Sequence, residues 1–224
     1  MDFGAAFSFV TADSEWTKKL GIASVVALAG VLTLGLALIP LVGYAVAISR
    51  RVSEGSQPVL PEWSDFGQLV MDGVKVVAIG FVWALPLILL SSCIALIGAL
   101  VTSQTDDATL STLMSTLISC ISLPYGLLLA LIQPAAIGHL ARTGNFGQAL
   151  NPLNAFKILR ANFGGFAITA LFWIILFPIL QSIGLLICII GLFPAIAYGT
   201  AVFGHLIGQA YSGAQATGFE LSGA

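Results

Sequence analysis

Charge is what this sequence has least of, and the little it has is bunched. Charged residues make up 8% of the 224-residue chain, against about 25% in an ordinary soluble domain. No Asp, Glu, Lys or Arg occurs in 20–49, 76–105, 108–141 or 161–219. A bilayer crossing takes about 20 apolar residues, so every run is long enough to span, and a pair of soluble domains is excluded. A basic excess is missing too: a net charge of −2 and a pI near 5.5 leave no electrostatic footprint for nucleic acid. Cysteine is nearly absent. Cys93, Cys120 and Cys188 all lie inside apolar runs at no short spacing, which argues against a disulfide framework or a zinc site. They read as small apolar packing residues.

The N-terminus has no positive n-region, since Asp2 stands where a base is expected and the first lysine is Lys18, so a cleaved signal peptide is not expected. No lipidation motif is present. Phe3, Phe7 and Val10 fall on one side of a short helix over 2–10, expected to lie on the membrane. At the other end the small, polar stretch 212–224 is expected to be a flexible tail.

What the chain does have is hydrophobic length: 58% hydrophobic residues and a mean hydropathy of +1.02. The run 161–219 must hold two helices, because as one it would extend roughly 88 Å across a hydrocarbon core of about 30 Å. Gly191-Leu192-Phe193-Pro194 is the best break, with glycine suited to a helix end and proline to a helix start. The expected fold is therefore an all-α transmembrane bundle of five long helices, over 17–50, 73–102, 108–142, 163–190 and 193–211. Pro40, Pro86, Pro124, Pro134 and Pro178 are expected to kink them. A sixth segment arises if one long run folds as a re-entrant hairpin. Bases cluster in 50–75 (Arg50, Arg51, Lys75) and 142–160 (Arg142, Lys157, Arg160), so the positive-inside rule puts both loops in the cytoplasm. The short turn near Asp106 and Asp107 then faces out. Five helices place the N-terminus outside and the C-terminus inside, although Lys18 and Lys19 conflict with that assignment.

Comparing the halves at an offset of 90 aligns Phe66 with Phe156, Leu69 with Leu159, Asp72 with Asn162 and Trp83 with Trp173. At 91, Arg51 meets Arg142 and Pro61 meets Pro152. This reads as a parallel tandem repeat, with units over 17–102 and 108–190 between an N-terminal segment 1–16 and a last helix 193–211. Each loop carries a proline-started segment suited to lipid headgroups. In the second, Asn151-Pro152 starts it, Leu153, Phe156 and Leu159 form its apolar face, and Lys157 and Arg160 reach outward. In the first, Trp63 suits the headgroup level, and Asp65 and Asp72 read as helix-terminal charge and cap, with Lys75 nearby.

The candidates for chemistry are few. His139 and His205 could face one another as axial ligands of a haem or a chlorophyll-type pigment. No Cys-x-x-Cys-His supports that, and a hydrogen-bonded bundle histidine is the ordinary reading. Ser111, Ser115, Ser119 and Ser122, with Thr112 and Thr116, line one helix face, as a pore wall or as small residues bonding their own backbone. Gly204-x-x-x-Gly208 is a packing motif, and Gln133, Gln181 and Gln209 add polar groups inside apolar runs. The runs hold no acid or base of the kind that marks an ion-coupled pump, and no paired histidine or nucleophile motif marks an enzyme.

Gly43-Tyr44, Arg50-Arg51-Val52, Gly55, Leu60-Pro61-Glu62-Trp63, Asp65, Gly67, Leu69, Asp72-Gly73 and Lys75, with Trp16 and Lys18-Lys19-Leu20 before them, resemble the signature of a prokaryotic membrane family, domain-of-unknown-function family 4013. The resemblance is sharp over about 16–86 and implies a multi-pass protein of a bacterial or archaeal plasma membrane. It implies no activity. The arginine pair beside Leu-Pro-Glu-Trp either fixes the loop on phosphate headgroups, with Glu62 or Asp65 pairing an arginine, or only sets loop geometry. The expected role is a non-enzymatic accessory, scaffold or lipid-interacting component, without cofactor or metal. Its partners would be the lipid bilayer and other membrane subunits or further copies. The alternative is a channel or facilitator for a small solute or lipid.

Overall fold

The computed structural model describes residues 1–105, 108–187 and 189–218. Among them every regular element is helical. A short α1 (Phe3–Ala12) precedes α2 (Trp16–Leu32), α3 (Ile39–Glu54), α4 (Phe66–Thr105) and α5 (Ala108–Thr143). Two small helices, α6 (Phe146–Leu150) and α7 (Pro152–Ala161), lead to α8 (Phe163–Leu171), α9 (Phe177–Leu186) and α10 (Leu192–Gln215). Five helical stretches are long and apolar enough to cross a membrane, Leu36–Glu54, Phe66–Val101, Thr109–Thr143, Phe163–Leu186 and Ile189–Gln215, which fits a multi-pass membrane protein.

The first expected helix, 17–50, is not one helix. It folds as a hairpin, α2 running one way and α3 back. The chain turns at Thr33-Leu34-Gly35, where Leu34 and Gly35 take φ of 51° and 93°. Gly35 N–H bonds the carbonyl of Gly30 at 2.7 Å, the six-to-one bond of a Schellman motif. Thr33 Oγ1 donates to the Ala29 carbonyl and accepts from Ala37 N–H, at 2.8 and 2.9 Å. The turn thus satisfies its own backbone, which a low-dielectric setting demands. Pro40 does not kink a helix but sits in the first turn of α3, where its missing N–H costs nothing.

This hairpin removes the charge conflict. Lys19 lies at the same end as Arg50 and Arg51, so bases from both sides of the first apolar run gather together. The termini follow suit. Asp2 N–H donates to Gln209 Oε1 at 2.8 Å and Gln209 Nε2 to the Asp2 carbonyl at 3.0 Å, so both ends of the described chain lie at the charged end, and the expected outside-to-inside passage is corrected.

At the bundle centre α3 is clasped between α4 and α10. Glycines permit this. A Cβ on Gly43 would strike the Leu69 carbonyl oxygen, and one on Gly73 the carbonyl of Ile39, so α3 and α4 cross backbone to backbone. Gly204 and Gly208 face Ala45 and Val52 of α3, with a Cβ meeting the Ala45 oxygen at 2.5 Å and Val52 Cβ at 2.6 Å. The Gly-x-x-x-Gly pair is a packing motif, as expected. The break before α10 also stands where expected: Ile189–Gly191 forms a tight turn, and α10 begins at Leu192.

Pro86, Pro124 and Pro134 lie within continuous helices. Pro178 instead follows a π-helical turn, Phe172–Leu176, that absorbs the missing donor. In α4 and α5, 40 and 36 residues make helices of about 60 and 54 Å. They form a hairpin in which Gly98 meets Met114 and the hydroxyl of Tyr125 bonds the Trp83 carbonyl at 2.6 Å.

The loops depart from a simple repeat. The first has no separate amphipathic segment, since α4 runs unbroken from Phe66. In the second, Asn162 (φ −141°, ψ 60°) separates α7 from α8. Asn151 does cap α7, accepting from Leu153 N–H at 3.0 Å. The inner face of α7 is Ala155, Ile158 and Leu159, so of the expected membrane-lying apolar face Leu159 turns into the bundle while Leu153 and Phe156 stay outward beside Lys157 and Arg160. α1 likewise buries Ala6 and Val10 in the protein, against α10 and its neighbours. Helix α10 continues through Gln215, four residues into the expected tail. The rest of that tail beyond Gly218, the Asp106-Asp107 turn and Cys188 lie outside the described residues.

Candidate functional site

At the charged end, side chains from three helices and the first loop close on one another. Asp72 is only 2% exposed and sits inside α4 rather than capping a helix. Arg50 Nη2 donates to it at 2.9 Å and Gln68 Nε2 at 3.0 Å, with Lys75 Nζ at 3.5 Å. Arg50 Nε also donates to the Ala141 carbonyl at 2.8 Å, so one guanidinium ties α3, α4 and α5 together. A buried carboxylate is tolerated only with such partners.

Lys19, 3% exposed, makes the second knot. Its ammonium reaches Asp13 Oδ2 and Glu62 Oε1, both at 2.9 Å, and donates to the Leu60 carbonyl at 3.2 Å. Glu62 therefore pairs a lysine, not an arginine as the sequence suggested. Arg51 Nη1 donates to the Pro58 carbonyl at 2.8 Å. Trp63 is stacked on Tyr44 with centroids 4.7 Å apart, and its indole N–H donates to the Lys19 carbonyl at 3.0 Å. It holds the loop to the bundle. Burial raises the Asp13 carboxyl, but the hydrogen bond from Lys19 and that from the Glu15 backbone outweigh it and leave it below its ordinary range. Burial lowers Lys19, and its bonds to Glu62 and Asp13 more than reverse this.

The remaining anchoring candidates are placed as follows. Arg142 pairs Glu54 at 3.2 Å. Asp65 is exposed just before α4 and borders, with Arg50, Arg51, Glu62, Gln68 and Asp72, a polar cleft of about 540 Å³. Lys157 and Arg160 are exposed on α7, Arg160 lying 5.3 Å over the Phe156 ring. The structure thus joins Arg50 with Asp72 and Lys75, joins Arg51 and Trp63 to the Lys19 knot, and leaves Lys157 and Arg160 apart. Sequence reasoning did not pick out Asp13 or Gln68 as site residues, and it took Lys19 as a topology signal and part of the family signature, not as a pairing group. A lysine and an aspartate six residues apart beside an apolar run was the one visible hint.

The histidines do not face one another. His139 Nδ1 lies 3.0 Å from the Tyr211 hydroxyl and Nε2 3.0 Å from Gln148 Oε1, so both ring nitrogens are occupied by protein. His205 stacks on Phe9 at 4.5 Å with Nδ1 3.2 Å from Gln209 Nε2. These are the bonds of bundle histidines. Among the described residues no group of three His, Cys, Asp or Glu is arranged to hold a metal. The serine face of α5 points outward, and Ser115, Thr116 and Ser119 donate to carbonyls three or four residues back.

A second space lies among the apolar helices. A cavity of about 590 Å³ opens between α3, α5, α9 and α10, lined by Val42, Ala130, Gln133, Gln181, Thr200 and Phe203 among others. No charged side chain borders it. Trp173 forms part of its wall, stacked on Phe177 at 4.5 Å and 4.7 Å from Phe203. Its size falls in the range of roughly 300–1,000 Å³ usual for small-molecule sites.

Comparison with the curated proteins and with the solved structures found no match to either. Residues 26–189 match the family described as "Protein of unknown function (DUF4013)", the stretch that holds Arg50, Trp63, Asp72 and most of the cavity lining. That match spans well over half of the chain, and the protein belongs to the DUF4013 family.

Proposed function

We propose that this protein is a non-enzymatic, lipid-interacting component of a prokaryotic cell membrane that holds a lipid chain between its helices. The observation that carries this reading is the uncharged cavity of about 590 Å³ among the spanning helices. In a bilayer such a space is open to filling by acyl or isoprenoid chains, since burying apolar ligand surface against apolar walls is favourable. The charged end supports it: its ion pairs tie the first loop and Asp13 to α2, and they tie α3 to α4 and to α5, its neighbour across the cavity. The outward row of Leu153, Phe156, Lys157 and Arg160 on α7 pairs apolar and basic groups as a headgroup-facing helix does.

The test is native mass spectrometry of the protein purified in mild detergent. A retained lipid in stoichiometric amount is expected, and Ala130→Trp, which places an indole in the cavity, should remove most of it without altering the helical circular dichroism. A chain that carries no lipid, or one whose lipid is indifferent to Ala130→Trp, would sink the reading. A copurifying protein subunit in place of lipid would favour the accessory role instead.

A further inference from the structure

Polar side chains inside a membrane protein normally find a protein partner, because an unpaired one costs free energy that no nearby water recovers. Much of this chain follows the rule, though the buried hydroxyls of Tyr44 and Ser49 have no partner among the described residues. Gln68 bonds Asp72, Gln148 bonds His139, and Gln209 bonds Asp2 and His205. Thr33, Thr116, Thr143 and Thr169 each turn the hydroxyl onto the carbonyl four residues back. Gln133 on α5, Gln181 on α9 and Thr200 on α10 lack a partner as well, and they do so around a single space. All three line the same cavity, and among the described residues none of their side chains has a hydrogen-bond partner in the protein. Thr200 is only 9% exposed and sits on the most deeply packed helix. Its hydroxyl forgoes the carbonyl of its own helix. Three unpaired groups from three helices converging on one cavity mark the place where a ligand supplies the missing bonds.

The chemistry of the lining narrows that ligand. With no Asp, Glu, Lys, Arg or His on the wall, a charged headgroup would be desolvated without compensation, so the polar part is neutral. Carboxamides and a hydroxyl match a carbonyl acceptor. The remaining walls, from Val42 and Ala130 to Trp173, Phe177 and Phe203, take an apolar body. We propose that the cavity binds a neutral lipid by its uncharged carbonyl, held by Gln133, Gln181 and Thr200. This rests on the lipid-interacting role above and specifies the ligand. Two sources share the chemistry: the ring carbonyl of an isoprenoid quinone and the ester carbonyl of a diacylglycerol.

The experiment uses the full chain in nanodiscs, with ligand occupancy counted by native mass spectrometry. The probes are an isoprenoid quinone, a diacylglycerol and squalene, a hydrocarbon without a carbonyl. The wild type is expected to prefer at least one carbonyl probe over squalene by about tenfold, the scale of one or two neutral hydrogen bonds. Gln133→Leu with Gln181→Leu keeps side-chain bulk and should bring that ratio close to one. Thr200→Val, nearly the same shape, should lower it part of the way. Thermal melts of all variants confirm folding. Which carbonyl probe wins identifies the source. Equal binding of squalene and both carbonyl probes, or a preference that survives in the double variant, overturns the inference while leaving lipid occupancy standing. Failure of all three probes to bind overturns both.

Discussion

At the scale of the residue, the buried ammonium of Lys19 decides how the first loop is held. Two carboxylates, from Asp13 and Glu62, lie 2.9 Å from it on opposite sides in sequence. Its energetic signature is pH dependence. Asp13 has a folded value below its ordinary 3.8, so the pair contributes stability in full above that ordinary value and loses it as pH falls through the lower folded one. The melting temperature of the wild type should exceed that of Asp13→Asn by its largest margin well above that ordinary value, and the margin should shrink as the solution is acidified below it. A gap independent of pH would show that Asp13 acts through packing alone. The sequence showed the charges but not this pairing. Lys19 is separated from Leu60 and Glu62 by a hairpin whose existence no local signal fixed, and a carboxylate gives no hint of which distant ammonium it will meet.

Elements in this protein meet where side chains are missing. The crossings of α3 with α4 and with α10 run through Gly43, Gly73, Gly204 and Gly208, each facing backbone or a branched side chain. Gly126 faces open space. These two environments predict opposite outcomes for the same substitution. Gly43→Ala should cost about 3 kcal/mol or more by forcing the helices apart, whereas Gly126→Ala should be neutral or stabilise by up to about 1 kcal/mol through helix propensity. Denaturation in detergent measures both, and equal effects would contradict the crossing geometry. The Gly-x-x-x-Gly spacing made the α10 contact legible in advance. Gly43 and Gly73 stood in the family signature, but nothing local said that they were halves of one contact. The same limit explains α7. Its helical start at Asn151-Pro152 was readable, while the choice of Ile158 over Leu153 as the inward side depended on where α5 and α10 lie. Proline carried similarly divided information. Pro194 and Pro152 mark helix starts by their local sequence, whereas Pro40 starts α3 only because the chain turns at Leu34-Gly35 before it.

For the whole molecule, the hairpin of α2 and α3 brings basic residues from both sides of the first apolar run to one end, with Lys19, Arg50, Arg51 and Arg142 in contact with that end's loops or helix termini. A membrane-impermeant maleimide tests this arrangement. In a cysteine-free background, Ser14→Cys, Gln57→Cys and Gln215→Cys should all label from the same side of the membrane. A single helix over 17–50 would put the first on the side opposite the second, and that pattern would refute the hairpin. The same arrangement frames the cavity, whose walls come from residues 38 to 207, so that Gln133, Gln181 and Thr200 come to line one space only by assembly.

By itself the sequence determined that this chain is an all-helical bundle of membrane-spanning length, where α10 begins, and which loops carry charge. Each of these follows from local composition: length without charge, a glycine-to-proline break, and where the bases fall. Tertiary structure decided the rest. It chose a hairpin for the first apolar run, because turn hydrogen bonds and packing of α2 on α10 outweighed helix continuity. It paired Lys19 with Asp13 and Glu62, and Arg50 with Asp72. It left three polar side chains facing one cavity. Those outcomes depend on which surfaces meet across the bundle, and contact energies between residues far apart in the chain leave no periodic trace along it.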